Sequence, residues 1–247
     1  MNRNYSDYDN ELFVSIYDYD NPNGSDHDFY RKLADDNGAK SIVDLGCGTG
    51  IFTITLVSQE RDIIGIDPAH AMLEIAKNRL NGRKVTWIEG TGDKIPVNFA
   101  DFIFMTGNVV MHIIGNDWYD TLQHIAKGLK EGGMLAFETR NPKAKAWKEW
   151  HQENEIRDTP AGKLCETTII EPPDENGVVT MYIHNEFLNH NQKVYIKQKL
   201  QFRNYEQVVK DLECAGLKVL TCYCNWSCVP FKGTSDEKLM IFVAVKK

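Results

Sequence analysis

The stretch Ser41-Ile42-Val43-Asp44-Leu45-Gly46-Cys47-Gly48-Thr49-Gly50 decides how this chain is read. Its first five residues form a short apolar run, expected as a buried strand. Glycines at 46, 48 and 50 stop the run. Without a Cβ they let a ligand approach the backbone, and they accept positive φ. The segment from Ile51 to Gln59 reads as a following helix, whose N-terminus would offer free N–H groups to an anionic group. Strand, glycine bend and helix in that order make a seat for a nucleotide-like cofactor.

Working outward, the pattern repeats. Asp62 to Ile66 is an apolar strand ending at Asp67, and Pro68 suits the start of a helix over Ala69 to Leu80 that Asn81-Gly82 would stop. Val85 to Glu89 and Phe99 to Met105 read as strands, Asp117 to Leu129 as a helix, and Gly133 to Glu138 as a fifth strand. Upstream, Ser25 is a suitable N-cap for a helix running to Gly38. Such alternation predicts an α/β fold, a doubly wound and mostly parallel sheet with helices on both faces.

After Pro142 the pattern changes. Residues 143–156, with Trp147 and Trp150, read as a helix. Residues 163–202 alternate as antiparallel strands, with turns at Pro172-Pro173-Asp174, Asn176-Gly177 and Asn189-His190-Asn191. A helix over Tyr205 to Ala215 and strands over Lys218 to Trp226 and Lys238 to Val245 bring the main sheet to seven strands. The expected division is an N-terminal helical cap (1–37), a cofactor-binding core (38–142 and 203–247), and a helix-plus-strand insert over the substrate (143–202).

The 247 residues are 42% hydrophobic and carry a formal charge of −7, so a sizeable core is expected and wholesale nucleic-acid binding is disfavoured. No apolar run approaches a membrane span, and the polar, acidic start lacks a signal-peptide core. A cytoplasmic protein is expected. Its six cysteines are then reduced, and the spacing of Cys214, Cys222, Cys224 and Cys228 lacks the paired units of structural zinc sites. No metal is expected.

Three features separate the cofactors such a bend could hold. The dinucleotide fingerprint is G-x-G-x-x-G, whereas here the glycines alternate. Asp44, two residues before the first glycine, would repel a pyrophosphate but pair with the amino group of a methionine moiety. Glu89-Gly90-Thr91-Gly92-Asp93 is a polar loop suited to an exocyclic amine. Asp67 does not discriminate, because an acid about 20 residues on binds ribose in both cases.

Asp44 to Gly50 resembles the first motif, D/E-x-G-x-G-x-G, of class I S-adenosylmethionine-dependent methyltransferases. Asp67 is similar to the family's ribose-binding acid, and Asp93 to its adenine-contacting acid. Met105-Thr106-Gly107-Asn108 resembles the loop that lines the methionine end, and Leu129 to Leu135 the glycine turn into the fifth strand. The resemblance is strongest over 40–140. Phe202 to Tyr205 and Ala215 to Leu217 look like the end of a bacterial subgroup that includes aminosugar N-methyltransferases.

The resemblance implies a Rossmann-like fold and S-adenosyl-L-methionine held by Tyr17, Asp44, Gly46, Cys47, Gly48, Thr49 and Gly50, with Asp67, Pro68 and Met72 beyond them. Thr91, Gly92, Asp93, Thr106, Gly107 and Asn108 complete the set. Met72 at helical spacing equally suits plain core. His112, after the fourth strand, is the candidate catalytic base, although an imidazole beside apolar residues also suits packing. Glu138, Arg140 and the insert's Trp147, Trp150, His151, His184 and His190 are candidates to face the substrate.

The expected partner is a small-molecule methyl acceptor, attacked through N or O by in-line displacement; a homodimer is left open. The alternatives are a methyltransferase acting on RNA or protein and a non-catalytic S-adenosylmethionine-binding protein. Thr106-Gly107-Asn108-Val109 stands where amine-modifying nucleic-acid enzymes carry an Asn-Pro-Pro-Tyr-type tetrapeptide, which weighs against nucleic acid.

Overall fold

A computed structural model describes residues 6–247. Two helices come first, α1 (Glu11–Asp20) and α2 (Ser25–Asp36). The Asn10 side chain caps α1 by accepting the Phe13 N–H at 3.1 Å, satisfying one donor that a helix start leaves free. Strands and helices then alternate: β1 (Ser41–Leu45), β2 (Asp62–Asp67), α3 (His70–Asn78), β3 (Thr86–Glu89), β4 (Ala100–Met105), α4 (Val109–His112), α5 (Asn116–Gly128) and β5 (Leu129–Arg140). A meander follows, β6 (Gln152–Thr159), β7 (Gly162–Glu171), β8 (Val178–Phe187) and β9 (Gln192–Gln201). The chain ends with α6 (Tyr205–Cys214), β10 (Leu217–Tyr223) and β11 (Leu239–Lys246).

The main sheet has seven strands in the order β10-β11-β5-β4-β1-β2-β3. β1 pairs in parallel with β2 and β4, as do β2 with β3 and β4 with β5; β11 runs antiparallel to both neighbours. The sheet is thus mostly parallel, as expected, and the four-stranded antiparallel sheet stands apart from it. Strand order reverses between β1 and β4, and at such a switch point a crevice opens beyond the carboxyl ends.

Both faces of the sheet are covered. Trp118, Leu122 and Ile125 of α5, with Val208 and Leu212 of α6, pack on one side. Phe29 and Tyr30 of α2, with Phe52 and Leu56, pack on the other. Trp118 also donates its indole N–H to Asp211 at 3.0 Å and lies under the Arg203 guanidinium, so its one polar atom is satisfied in the interior.

Four local expectations need correction. The helix expected over 51–59 is only a 3-10 turn, Thr53–Leu56. Its β-branched residues disfavour an α-helix, the Thr55 hydroxyl bonds back to the Phe52 carbonyl, and the Thr53 hydroxyl is drawn inward to Asp44. Ser25 is the first helical residue of α2; Gly24 is the cap. Pro68 precedes the cap of α3, which is Ala69. Residues 143–156 form two 3-10 turns, Pro142–Ala144 and Ala146–Glu149, and then the start of β6. Lys145 between the turns has φ of 52°, which breaks the helix.

Trp118 is fully buried, and truncating it leaves a cavity and takes the indole donor from one oxygen of Asp211, the other still accepting from Gln207. Trp118→Ala should lower the unfolding free energy by about 3–5 kcal/mol, read from the midpoint of urea denaturation.

Candidate cofactor and acceptor site

The crevice holds a cavity of about 420 Å³ at the carboxyl ends of the parallel strands. The loop after β1 forms its floor. Gly46 has φ of 78°, and a Cβ there would lie 2.5 Å from Val109, so this glycine is required by the fold itself. Gly48 differs: a Cβ would meet nothing nearer than the Tyr17 ring at 3.8 Å. The space above Gly48 belongs to the cavity, and it is the open cradle that a closely seated ligand needs.

Three carboxylates are buried around this floor. Asp67, at the end of β2, lines the cavity and accepts the Gly48 N–H at 2.8 Å and the Ala69 N–H at 2.9 Å. Burial pushes its pKa up to about 6 against the pull of those two N–H groups. Asp44 is fully buried under the bend; one oxygen accepts the Thr53 hydroxyl at 2.5 Å and the other has no partner among the described residues. Burial, reinforced by the charges of Asp67 and Glu138, raises it to about 7. Glu138, on β5, accepts hydrogen bonds from the Tyr30 hydroxyl and, at 2.6 Å, from the Asn108 N–H. Burial raises it to about 7 as well. Like charges held together in a poorly hydrated region repel an anion and favour a cation.

The structure divides the expected residues. Gly46, Gly48, Asp67, Pro68, Met72 and Tyr17 line the cavity, as do Thr91, Gly92, Gly107 and His112. Met72 also packs against Val14 and Ala69, so it serves as core and wall together. Asp44, Cys47, Thr49, Gly50 and Thr106 are buried behind the wall. Cys47 packs toward Gly65, and Gly50 toward Trp87. Thr49 is a tie. Its hydroxyl donates to Asp18 of α1 at 2.6 Å, its carbonyl accepts from Arg79 at 2.6 Å, and Arg79 pairs with Asp18. Asp93 lies outside the lining, exposed, accepting from the Thr91 hydroxyl at 2.8 Å, which with Lys94 holds its pKa below the ordinary value.

A second chamber of about 300 Å³ adjoins the first, sharing Tyr8, Tyr17, Gly107, His112 and Gln198 with it. Asn108, Arg140 and Trp150 belong to its wall, with Asp20 of α1 and Ile183 of β8. Trp147 instead packs on Phe202, and His151, His184 and His190 are exposed away from it. His112 is exposed and lines both cavities, and the protein packed around its ring lowers its pKa to about 4 by desolvation. Enclosure also raises the Tyr17 phenol to about 12, helped by the charges of Asp67 and Asp18.

Several wall residues escaped the sequence reading. Asp117 and Thr121 line the first cavity from α5; their four-residue spacing, one helix face, was the available signal. Tyr8 and Gln198 meet across 190 residues, the Gln198 amide donating to the Tyr8 hydroxyl at 2.7 Å, and no local pattern announces such a pair.

Fold and site together define an α/β protein whose cavity sits at a switch point over an acidic floor. Residues 42–133 match the family model of the methyltransferase domain. A ubiquinone biosynthesis O-methyltransferase of Idiomarina loihiensis is 26% identical over 125 residues, 48% of this chain and 50% of that protein. The chain spans between about a fifth and a half of the length of the first curated relatives it matches. An S-adenosylmethionine-dependent methyltransferase of Clostridium acetobutylicum shares the fold over 95% of this chain and 97% of its own, with a TM-score of 0.77 at 19% identity. An S-adenosylmethionine-bound amino pentose methyltransferase of Micromonospora echinaspora does so over 92% and 93%, with a TM-score of 0.65 at 18% identity. Residues 42–133 thus carry a methyltransferase domain, and the chain as a whole shares the fold of S-adenosylmethionine-dependent methyltransferases.

Because the folded pKa of Asp44 lies above its unfolded value, the folded chain holds this proton the more tightly. The stability this lends is complete below the unfolded pKa and is lost as pH rises through about 7. In nucleoside-free protein, Tm should therefore fall more steeply between about pH 5 and about pH 8 in the wild type than in Asp44→Asn. Thermal unfolding curves check this; parallel profiles would mean that Asp44 is already ionised at the acid end.

Proposed function

We propose that the protein transfers the methyl group of S-adenosylmethionine to a nitrogen or oxygen of a small molecule held in the second chamber. The observation that carries this reading is the buried acidic floor beneath an open glycine cradle. A pyrophosphate would meet Asp67 on the wall and the fields of Asp44 and Glu138 behind it as like charges, whereas a sulfonium nucleoside brings a cation and an ammonium group toward them. The partnerless oxygen of Asp44 fits a site completed by a positively charged or hydrogen-bond-donating ligand.

The residues suit that ligand part by part. Gly46 and Gly48 would lie under its methionine portion, and Asp67 would accept from the ribose hydroxyls. Met72, Thr91 and Gly92 would enclose the base, leaving Gly107 and His112 beside the transferable group. When bound, S-adenosylmethionine supplies a methyl group on positively charged sulfur, which needs only an aligned nucleophile. The chain's own work is then to exclude water and orient the acceptor. Tyr17 and Tyr8 do the first by roofing both chambers from the N-terminal segment.

His112 bears on the attacked atom. Held neutral well below its ordinary pKa, it accepts a hydrogen bond readily but a whole proton poorly. That favours an amine, whose own lone pair attacks, over a hydroxyl that must first lose its proton. The chamber's volume of about 300 Å³ and the chain's net charge of −7 favour a small molecule over RNA.

Incubation with S-adenosylmethionine and fractionated metabolites should yield S-adenosylhomocysteine with an amine-containing fraction. Cofactor binding without turnover in any fraction would instead favour a non-catalytic binder. Asp67→Ala should fold and yet bind S-adenosylmethionine roughly 100-fold more weakly, the loss of two hydrogen bonds to a charged acceptor. Wild-type affinity by calorimetry would overturn the role given to Asp67.

A further inference from the structure

Arg140 is the last residue of β5, at the carboxyl end of the sheet, and lines the second chamber. Its guanidinium has no ion pair and no hydrogen bond among the described residues. The nearby acids are otherwise engaged. Asp20, on the same wall, gives both oxygens to Arg157 of β6 at 2.7 Å. Glu138, two residues earlier, is held below by Tyr30 and the Asn108 N–H. The remaining wall mixes apolar and aromatic side chains, Phe13, Met111, Trp150, Ile183 and Leu200, with the neutral polar groups of Asn21, Asn108 and Gln198.

A half-buried cation in such surroundings has lost part of its hydration without gaining a counter-charge. A guanidinium also presents its donors as a planar fork that matches the two oxygens of a carboxylate or the oxygens of a phosphate. The pattern is unlike the first chamber, whose floor carries buried acids. Lys197 and Lys199 of β9 also line the first chamber, so the contrast lies in the acids of its floor and in the unpaired guanidinium of the second.

Resting on the proposed reading of this chamber as the acceptor site, we propose that the methyl acceptor carries an oxyanion, a carboxylate or a phosphate, that seats on Arg140. Its apolar or aromatic body lies against Trp150 and Ile183, and its nucleophile points toward Gly107 and His112 on the shared wall. Arg140 is in this account a specificity-determining residue. It selects acidic acceptors over neutral analogues of the same shape.

The test is calorimetry on full-length protein saturated with S-adenosylhomocysteine, using 3-phenylpropionate, phenyl phosphate and the neutral 3-phenylpropionamide as probes. At least one anion should bind the wild type about tenfold more tightly than the amide, as expected of a charge-assisted bidentate pair; which anion wins identifies the source of the charge. Arg140→Gln should level the three probes, and Arg140→Lys should retain part of the preference. S-adenosylhomocysteine affinity should be unchanged in both variants, which also reports that they fold. Failure of the wild type to bind S-adenosylhomocysteine would overturn the cofactor reading and this inference with it. Normal nucleoside binding with equal affinity for anions and amide, with no detectable anion binding at millimolar concentration, or with a preference that survives in Arg140→Gln, would overturn this inference alone. Should Arg140→Gln fail to fold, the wild-type comparison of acid with amide still decides.

Discussion

Three carboxylates share the space beneath the glycine bend, and the architecture around them follows from keeping them there. Asp44 and Glu138 are fully enclosed and Asp67 nearly so. Each is held by short hydrogen bonds from Thr53, Tyr30 or backbone N–H groups. Removing carboxylates from water is costly, and part of that cost appears as the raised pKa values of all three. A ligand bearing positive charge relieves it. The floor therefore carries a built-in electrostatic preference for a cation.

The roof of the site comes from parts of the chain far from the bend. α1 is tied to the core through Asp18, Thr49 and Arg79, and to the meander through Asp20 and Arg157. Tyr8 and Gln198 add a further link to β9. These ties divide the crevice into two communicating chambers and leave His112 between them. The meander reaches both chambers, through Lys197, Gln198 and Lys199 in the first and Ile183, Gln198 and Leu200 in the second, whereas the acidic floor is built by the main sheet alone.

The legibility of this arrangement followed the range of the interactions involved. β1, β2, β4 and the helix on α5 were readable because burial on one or both sides leaves apolar runs or helical spacing in the sequence. β6 was not: Gln152 to Thr159 is largely polar and exposed, and it forms a strand because β7 offers it a partner. The turn at 53–56 departs from the helix its sequence suggests because its inward threonine serves Asp44. Glycines 46 and 48 look alike in the sequence but do different work, one avoiding Val109 and the other leaving room. Arg140 could be suspected from its place after a strand. That its charge has no counter-ion among the described residues is a matter of tertiary contacts, such as the pairing of Asp20 with Arg157, 137 residues away in sequence.

Calorimetric titration of the purified protein with S-adenosylmethionine at neutral pH, repeated in buffers of different ionisation enthalpy, tests the acidic floor most directly. One nucleoside should bind per chain with net release of protons, because a cation and ribose hydroxyls draw the buried acids into their ionised form. Proton uptake, no proton exchange at all, or binding of a nicotinamide dinucleotide in place of the sulfonium nucleoside would contradict the account.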